Sequence, residues 1–364
     1  MMTRVHNFGA GPCTLPVSVL EAVRDEFLDF EGIGMSIIED SHRAPAYNAV
    51  HHDALAGFRT LAGVPDDFAI LFLQGGATLQ FAQVPLNLLA EDETAGYVNT
   101  GAWATKALAD GGQVAGAYEA WDGAGAGFGR VPTEGGEIDV RPGTRYVHVT
   151  SNETIDGIRF PHFPDVGVPM VADMSSDFLS RPIDWGRFDL VYGGAQKNLG
   201  PAGLAIVVVR RDRLGSHGRD LPSYLDYATH ERADSMANTP PMFAIYVMGK
   251  VLDWMAEAGG LAEFERRAAE RAGLIYDAID GSDGWYRSPV EEASRSHMNV
   301  VFRLPDEDLE KRFVAEAAGA GMANLKGHRN VGGIRASVYN AMPLDSVRAL
   351  VDFMADFRTG NDLS

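Results

Sequence analysis

The chain alternates between short apolar runs and longer segments whose apolar positions recur every three or four residues. Phe68-Ala-Ile-Leu-Phe-Leu73 is an uninterrupted apolar run of strand length, stopped by Gly75-Gly76. Runs of the same kind lie at Glu93–Asn99, Arg145–Val149, Val168–Ala172, Leu190–Tyr192 and Leu204–Val209. A strand that is apolar on both faces belongs under helices, so these runs predict a buried sheet. Leu79–Leu89 has helical character, with a bend expected at Pro85, which lacks an N–H and crowds the preceding turn. Strands separated by helical or turn segments predict an α/β fold with a mostly parallel sheet flanked by helices. From Phe243 the pattern changes. Phe243–Glu257 and Leu261–Ile279 predict long helices broken at Gly259-Gly260. A strand (Asn299–Leu304), a helix (Asp306–Ala318), a strand near Gly333–Val338 and a helix (Leu344–Phe357) follow. The expected organisation is an N-terminal segment (1–15), a large domain (16–260) and a smaller C-terminal α/β domain (261–364). The stretch 115–143 is Gly-rich and yields no predicted element.

Composition narrows the function. With 364 residues, 46% hydrophobic and 22% charged, the chain can bury a sizeable core. No run approaches the roughly 20 apolar residues of a membrane helix, and no secretory signal precedes the first predicted element. A cytoplasmic protein with no membrane partner is expected. The net charge of -19 repels nucleic acid at long range, so no nucleic-acid partner is expected. An anionic metabolite would need locally clustered cations. Cys13 is the only cysteine, which excludes an intrachain disulfide and a cysteine metal cluster.

Five lysines stand against 26 arginines, and Lys197 has the least ordinary setting. It lies in Tyr192-Gly-Gly-Ala-Gln-Lys-Asn-Leu-Gly200, between two apolar runs. Glycines on both sides suit an amine that bonds a cofactor in a tight pocket, a Schiff-base lysine of the kind that binds pyridoxal phosphate. Gln74-Gly-Gly-Ala-Thr78 joins a predicted strand to a predicted helix, where free N–H groups favour a phosphate; a plain turn reads the same. Asp173 closes the run Val168–Ala172, at the strand end where α/β sheets bind ligands. It could pair with a pyridine nitrogen or serve the turn at Ser175-Ser176-Asp177. Thr154, in Asn152-Glu-Thr-Ile-Asp-Gly157, offers a hydroxyl, though that sequence is also turn chemistry. Trp103 could stack on a ring or fill a core. His42-Arg43, His328-Arg329 and Arg335 are the candidate anion site.

Taken together, Phe8-Gly-Ala-Gly-Pro12, Ser41-His-Arg43, Asn152–Gly157, Leu179–Asp184, Gly194–Asn198, Asn238-Thr-Pro-Pro241, Gly327-His-Arg329, Gly332–Ser337 and Tyr339–Pro343 resemble the phosphoserine aminotransferase family, within the class-V, fold-type I pyridoxal-phosphate enzymes. The match runs in order along nearly the whole chain. It implies that Lys197 holds the cofactor and moves the substrate proton, and that Asp173 binds the pyridine nitrogen. Trp103 would stack on the ring and Thr154 would contact its hydroxyl side. Ala77, Thr78 and Gln196 would hold the phosphate, joined by Asn238 and Thr239 of a partner copy in a homodimer. Arg335 would take the substrate α-carboxylate. His42, Arg43, His328 and Arg329 would take the substrate phosphate or glutamate's side-chain carboxylate. The implied reaction passes an amino group between glutamate and 3-phosphohydroxypyruvate, a phosphorylated 2-oxo acid. A second implied pair is the phosphohydroxythreonine couple of vitamin B6 synthesis. Some relatives carry an arginine where this chain has Ala77-Thr78. Two other readings use the same fold. A cysteine-dependent lyase needs a thiol late in the chain, and Cys13 is early; a non-catalytic dimeric binding protein would lack the chromophore.

Overall fold

The computed structural model describes residues 4–216 and 218–361. Seven strands form one sheet: β1 (Phe68–Leu73), β2 (Thr94–Asn99), β3 (Gly116–Asp122), β4 (Thr144–Thr150), β5 (Met170–Asp173), β6 (Phe188–Gly194) and β7 (Ala205–Arg210). Their order is β1-β7-β6-β5-β4-β2-β3. All neighbours run parallel except β7, which is antiparallel to both β1 and β6. Each residue of β1 and β5 is buried, as an apolar run covered on both faces requires.

Nine helices are described: α1 (Val17–Glu26), α2 (Pro45–Ala62), α3 (Gly76–Leu88), α4 (Ala102–Val114), α5 (Tyr227–Arg232), α6 (Met242–Glu257), α7 (Gly260–Asp280), α8 (Glu307–Gly319) and α9 (Leu344–Asn361). Helix α3 begins three residues before the apolar pattern does and carries Pro85 in its last turn. Gly259, at φ 111, is the residue before α7, so the glycine pair separates α6 from α7 as expected.

The sheet packs on one face against α2 and α6, whose residues Phe58, Val247, Val251 and Leu252 join Phe72, Val191 and Val208 in the largest core. On the other face Phe81, Val84 and Leu88 of α3 meet Leu71, Val171 and Val207. A separate core forms around β8 (Asn299–Phe302) and β9 (Ile334–Ser337), an antiparallel pair. Helix α7 serves two cores: Leu261 and Phe264 join the first, Ala272, Ile275 and Ile279 the last.

A buried polar seam links these bodies. Asn152 Nδ2 donates to Asn299 Oδ1 at 2.8 Å, and Asn299 Nδ2 donates to Ser337 Oγ at 2.9 Å. Asn340 N–H donates to Asn198 Oδ1 at 3.0 Å, next to the lysine. Among the described residues no helix is long and apolar enough to cross a membrane, and no group of acids, histidines and cysteine is placed to hold a metal.

Candidate active site

Lys197 follows β6, in the connection that turns the chain back into antiparallel β7. Ala195 N–H bonds Leu204 carbonyl at 2.9 Å, so the connection starts and ends as a closed hairpin. The Lys197 side chain is buried, and its Nζ donates to Thr154 Oγ1 at 2.7 Å. Burial lowers its pKa against the attraction of Asp173 and Glu153, and the positive Arg335 lowers it further. Burial thus makes the neutral, nucleophilic form of the amine easier to reach than it is for a free lysine.

Asp173 is the last residue of β5, at the carboxyl end of the parallel strands, where it lies beside Thr150 on β4 and Tyr192 on β6. The turn role expected of it is seen. Its Oδ1 accepts from Ser175 N–H at 2.9 Å and Ser175 Oγ at 2.6 Å, as a turn aspartate would. The residue also lines a cavity of about 120 Å³. Burial raises its carboxyl, while the Ser175 hydrogen bonds and Lys197 oppose the rise.

The cavity is walled by Ala77 and Thr78 of α3, Trp103 of α4, Asp173, Gln196 and Lys197. Sequence reasoning missed Thr150, Asn152, Ser175 and Ser176, which also line it. The triplet after Asp173 was the available signal for the serines, read as turn chemistry. Helix α3 starts without a capping side chain, after Gly75 at φ 92 and Gly76 at φ 60. A Cβ on Gly76 would meet no atom within 4 Å, and no side chain takes up the first N–H groups of the helix.

Beyond the cavity, Arg335 Nη1 donates to the Thr154 carbonyl at 3.4 Å, which brings a guanidinium to the Lys197 side. His328 is half-buried; burial and the charges of Arg335 and Arg329 lower its pKa, so the two cations lie close by. Arg329 and Arg43 are exposed. His42 sits elsewhere: its Nδ1 lies 3.4 Å from Thr239 Oγ1. Asn238 Nδ2 donates to Gln74 Oε1 at 3.4 Å, and Gln74 Nε2 donates to the Thr239 carbonyl at 3.2 Å. None of His42, Arg43, Asn238 and Thr239 lines the Lys197 cavity of their own chain.

The family described as aminotransferase class-V matches residues 5–350. A phosphoserine aminotransferase of Laribacter hongkongensis is 50% identical over 97% of this chain and 98% of its own length. The solved phosphoserine aminotransferase of Bacillus circulans subsp. alkalophilus superposes with TM-score 0.96 at 48% identity, covering 98% of this chain and 99% of that one. The structure of PLP-bound phosphoserine aminotransferase from Trichomonas vaginalis gives TM-score 0.91 at 36% identity, covering 97% and 100%. A buried lysine between a strand-end aspartate and an uncapped helix, with this likeness along the full chain, places the protein among the class-V aminotransferases, in the phosphoserine aminotransferase family.

Proposed function

We propose that this chain is a pyridoxal-phosphate-dependent transaminase that passes an amino group between L-glutamate and 3-phosphohydroxypyruvate, giving O-phosphoserine and 2-oxoglutarate in serine biosynthesis. The observation that carries it is Lys197, buried with Trp103 and Asp173 in the lining of one cavity and hydrogen-bonded through its amine to Thr154.

The cavity's own polar atoms fit the cofactor. Trp103 Nε1 and Thr150 Oγ1 are buried without a hydrogen-bond partner. Such groups are costly unless a polar ligand meets them. The uncapped start of α3 suits a phosphate. Ala77, Thr78 and Gln196 would hold that phosphate, Asp173 the pyridine nitrogen, Thr154 the hydroxyl side, and Lys197 Nζ the aldehyde carbon. Trp103 would cover the ring. Bound there, pyridoxal phosphate supplies an electron sink for the substrate's α-carbon.

The chain's residues do the rest. Lys197 Nζ, whose pKa burial and Arg335 lower against the pull of Asp173 and Glu153, takes the proton that leaves the α-carbon of the amino donor. Thr154 Oγ1 steadies that amine. Arg335, whose Nε is buried and unpartnered, takes the substrate α-carboxylate in a forked contact. His328 and Arg329, with His42 and Arg43, receive the phosphate in one half-reaction and glutamate's side-chain carboxylate in the other. The phosphohydroxythreonine pair of vitamin B6 synthesis, another phosphorylated pair, would use the same pocket.

A homodimer completes this arrangement. His42, Arg43, Asn238 and Thr239 do not line their own lysine's cavity, and the family resemblance assigns Asn238 and Thr239 to the site of a partner copy. The segment before His42 supports it: Leu28 is 82% exposed, and Ile33, Met35 and Ile38 are exposed as well. Such apolar surface suits burial against a second chain. The test is the absorption spectrum of the purified protein with pyridoxal phosphate, before and after L-glutamate or O-phosphoserine. Bleaching of the long-wavelength band by both amino acids is the expected outcome; bleaching by neither would reject this substrate pair.

A further inference from the structure

Helix α4 carries Trp103 in its first turn, yet it has no capping side chain of its own, because the residue before it is Gly101. The N–H groups at its start are satisfied from a distant turn. Glu153 Oε2 accepts from Trp103 N–H at 3.1 Å and Glu153 Oε1 from Ala104 N–H at 2.8 Å. Asp156 Oδ2 faces Ala102 N–H at 3.4 Å. A Cβ on Gly101 would stand 2.5 Å from Asp156 Oδ2 and 2.8 Å from Glu153 Cδ. The two acids thus occupy the room that an ordinary capping side chain would need.

Glu153 is fully buried, with one oxygen on each of two adjacent N–H groups at the positive end of the helix. These donors lower its pKa against burial and the charges of Asp156 and Asp173, which together push it up to about 8. The next residue, Thr154, holds Lys197 Nζ. Trp103 lies over the same amine, its ring centre 5.7 Å from Nζ. One short turn therefore governs both the amine and the aromatic wall above it.

We propose that Glu153 is a positioning residue for Trp103: its carboxyl clamps the first turn of α4 and fixes the indole over the cavity before the cofactor's ring arrives. The inference rests on the pyridoxal-phosphate reading above. First turns are where helices fray, and a wall that frays must be ordered anew at each binding event. The bidentate clamp removes that cost in advance.

The test uses the full chain and two readouts: hydrogen–deuterium exchange of residues 101–105 in protein freed of pyridoxal phosphate, and the affinity for added pyridoxal phosphate. Glu153→Met keeps the volume and removes both acceptors. Amides at Trp103 and Ala104 should exchange at least about tenfold faster, and pyridoxal phosphate should bind about tenfold more weakly, as expected for lost cap bonds. Glu153→Gln, which keeps one acceptor, should fall between Glu153→Met and the native protein in both readouts. In a Trp103→Ala background the Glu153 substitution should cost no further affinity, which a general loss of stability would not reproduce. Unchanged exchange overturns the clamp, and a full loss of affinity persisting without Trp103 overturns its action through the indole. Should Glu153→Met fail to fold, Glu153→Gln against the native protein carries the same comparison. Failure of the native protein to bind pyridoxal phosphate would instead overturn the functional reading, while the exchange data still judge the clamp.

Discussion

The floor of the site and its rim are built differently. On the floor, Lys197, Asp173 and Thr154 are buried at strand ends or in the turns beside them, and each is hydrogen-bonded within the chain. At the rim, Arg43 and Arg329 are exposed, His328 is half-buried, and His42 Nδ1 lies 3.4 Å from Thr239 Oγ1. Rigid placement suits groups that must meet a reacting atom within a fraction of an ångström. Loosely held cations suit a pocket that takes a phosphate in one half-reaction and a carboxylate in the other. One chain holds the whole floor, while under the proposed function the rim would draw on two.

Substitutions can break that contrast, beginning on the floor. Lys197→Ala should lower kcat by at least about a thousandfold, since it removes both the covalent anchor and the proton carrier. Its near-ultraviolet circular dichroism should stay native, because burial opposes the charge it removes. Turnover near the native rate would end the assignment. Arg335→Ala should cost about a hundredfold in kcat/KM, equally for glutamate and O-phosphoserine, because both carry an α-carboxylate; unequal losses would move Arg335 out of that role.

At the rim, Arg329→Ala should lower kcat/KM about tenfold for O-phosphoserine and less for unphosphorylated substrates. Equal losses would argue against a phosphate contact. A last effect falls on stability rather than on turnover. Folding raises the Glu153 carboxyl from 4.5 to about 8, so between those values the folded chain keeps a proton that the unfolded chain releases. This contribution is fully present below pH 4.5 and is lost as pH rises through that window to about 8. Denaturant titrations of Glu153→Gln should give a flatter profile across that window than the native protein; the same slope in both would reject the cause.

How much of this the sequence disclosed depends on the kind of signal. β1 was legible to the residue, because Phe68–Leu73 is apolar throughout and glycines stop it. The reversal of β7 was not, since strand direction leaves no trace in an apolar run. Strand β3, Gly116–Asp122, lay hidden in a Gly-rich stretch; its burial alternates only in part, as befits the sheet edge, and that dilutes the pattern. α1, α2, α4 and α5 were also missed. α2 opens with Pro45, which fits a first turn, and it buries only one face, Tyr47, Ala54 and Phe58. In the site, Lys197 and Asp173 stood out by position, between glycines and at a strand end. Thr150 and Ser175 did not, because a strand-end threonine and a turn serine are ordinary until neighbouring strands bring them to one cavity. Glu153 was invisible for the same reason: its partners lie some fifty residues away.

The antiparallel strand has a consequence for how the protein is made. β1, which leads into α3, is hydrogen-bonded in the sheet only to β7 among the described residues, with Phe68 opposite Arg210. During synthesis those six apolar residues leave the ribosome long before their partner strand does. Until residues 205–210 emerge, β1 is an open edge able to pair with another nascent chain. The start of α3 and the lysine thus come into register only once β7 is made.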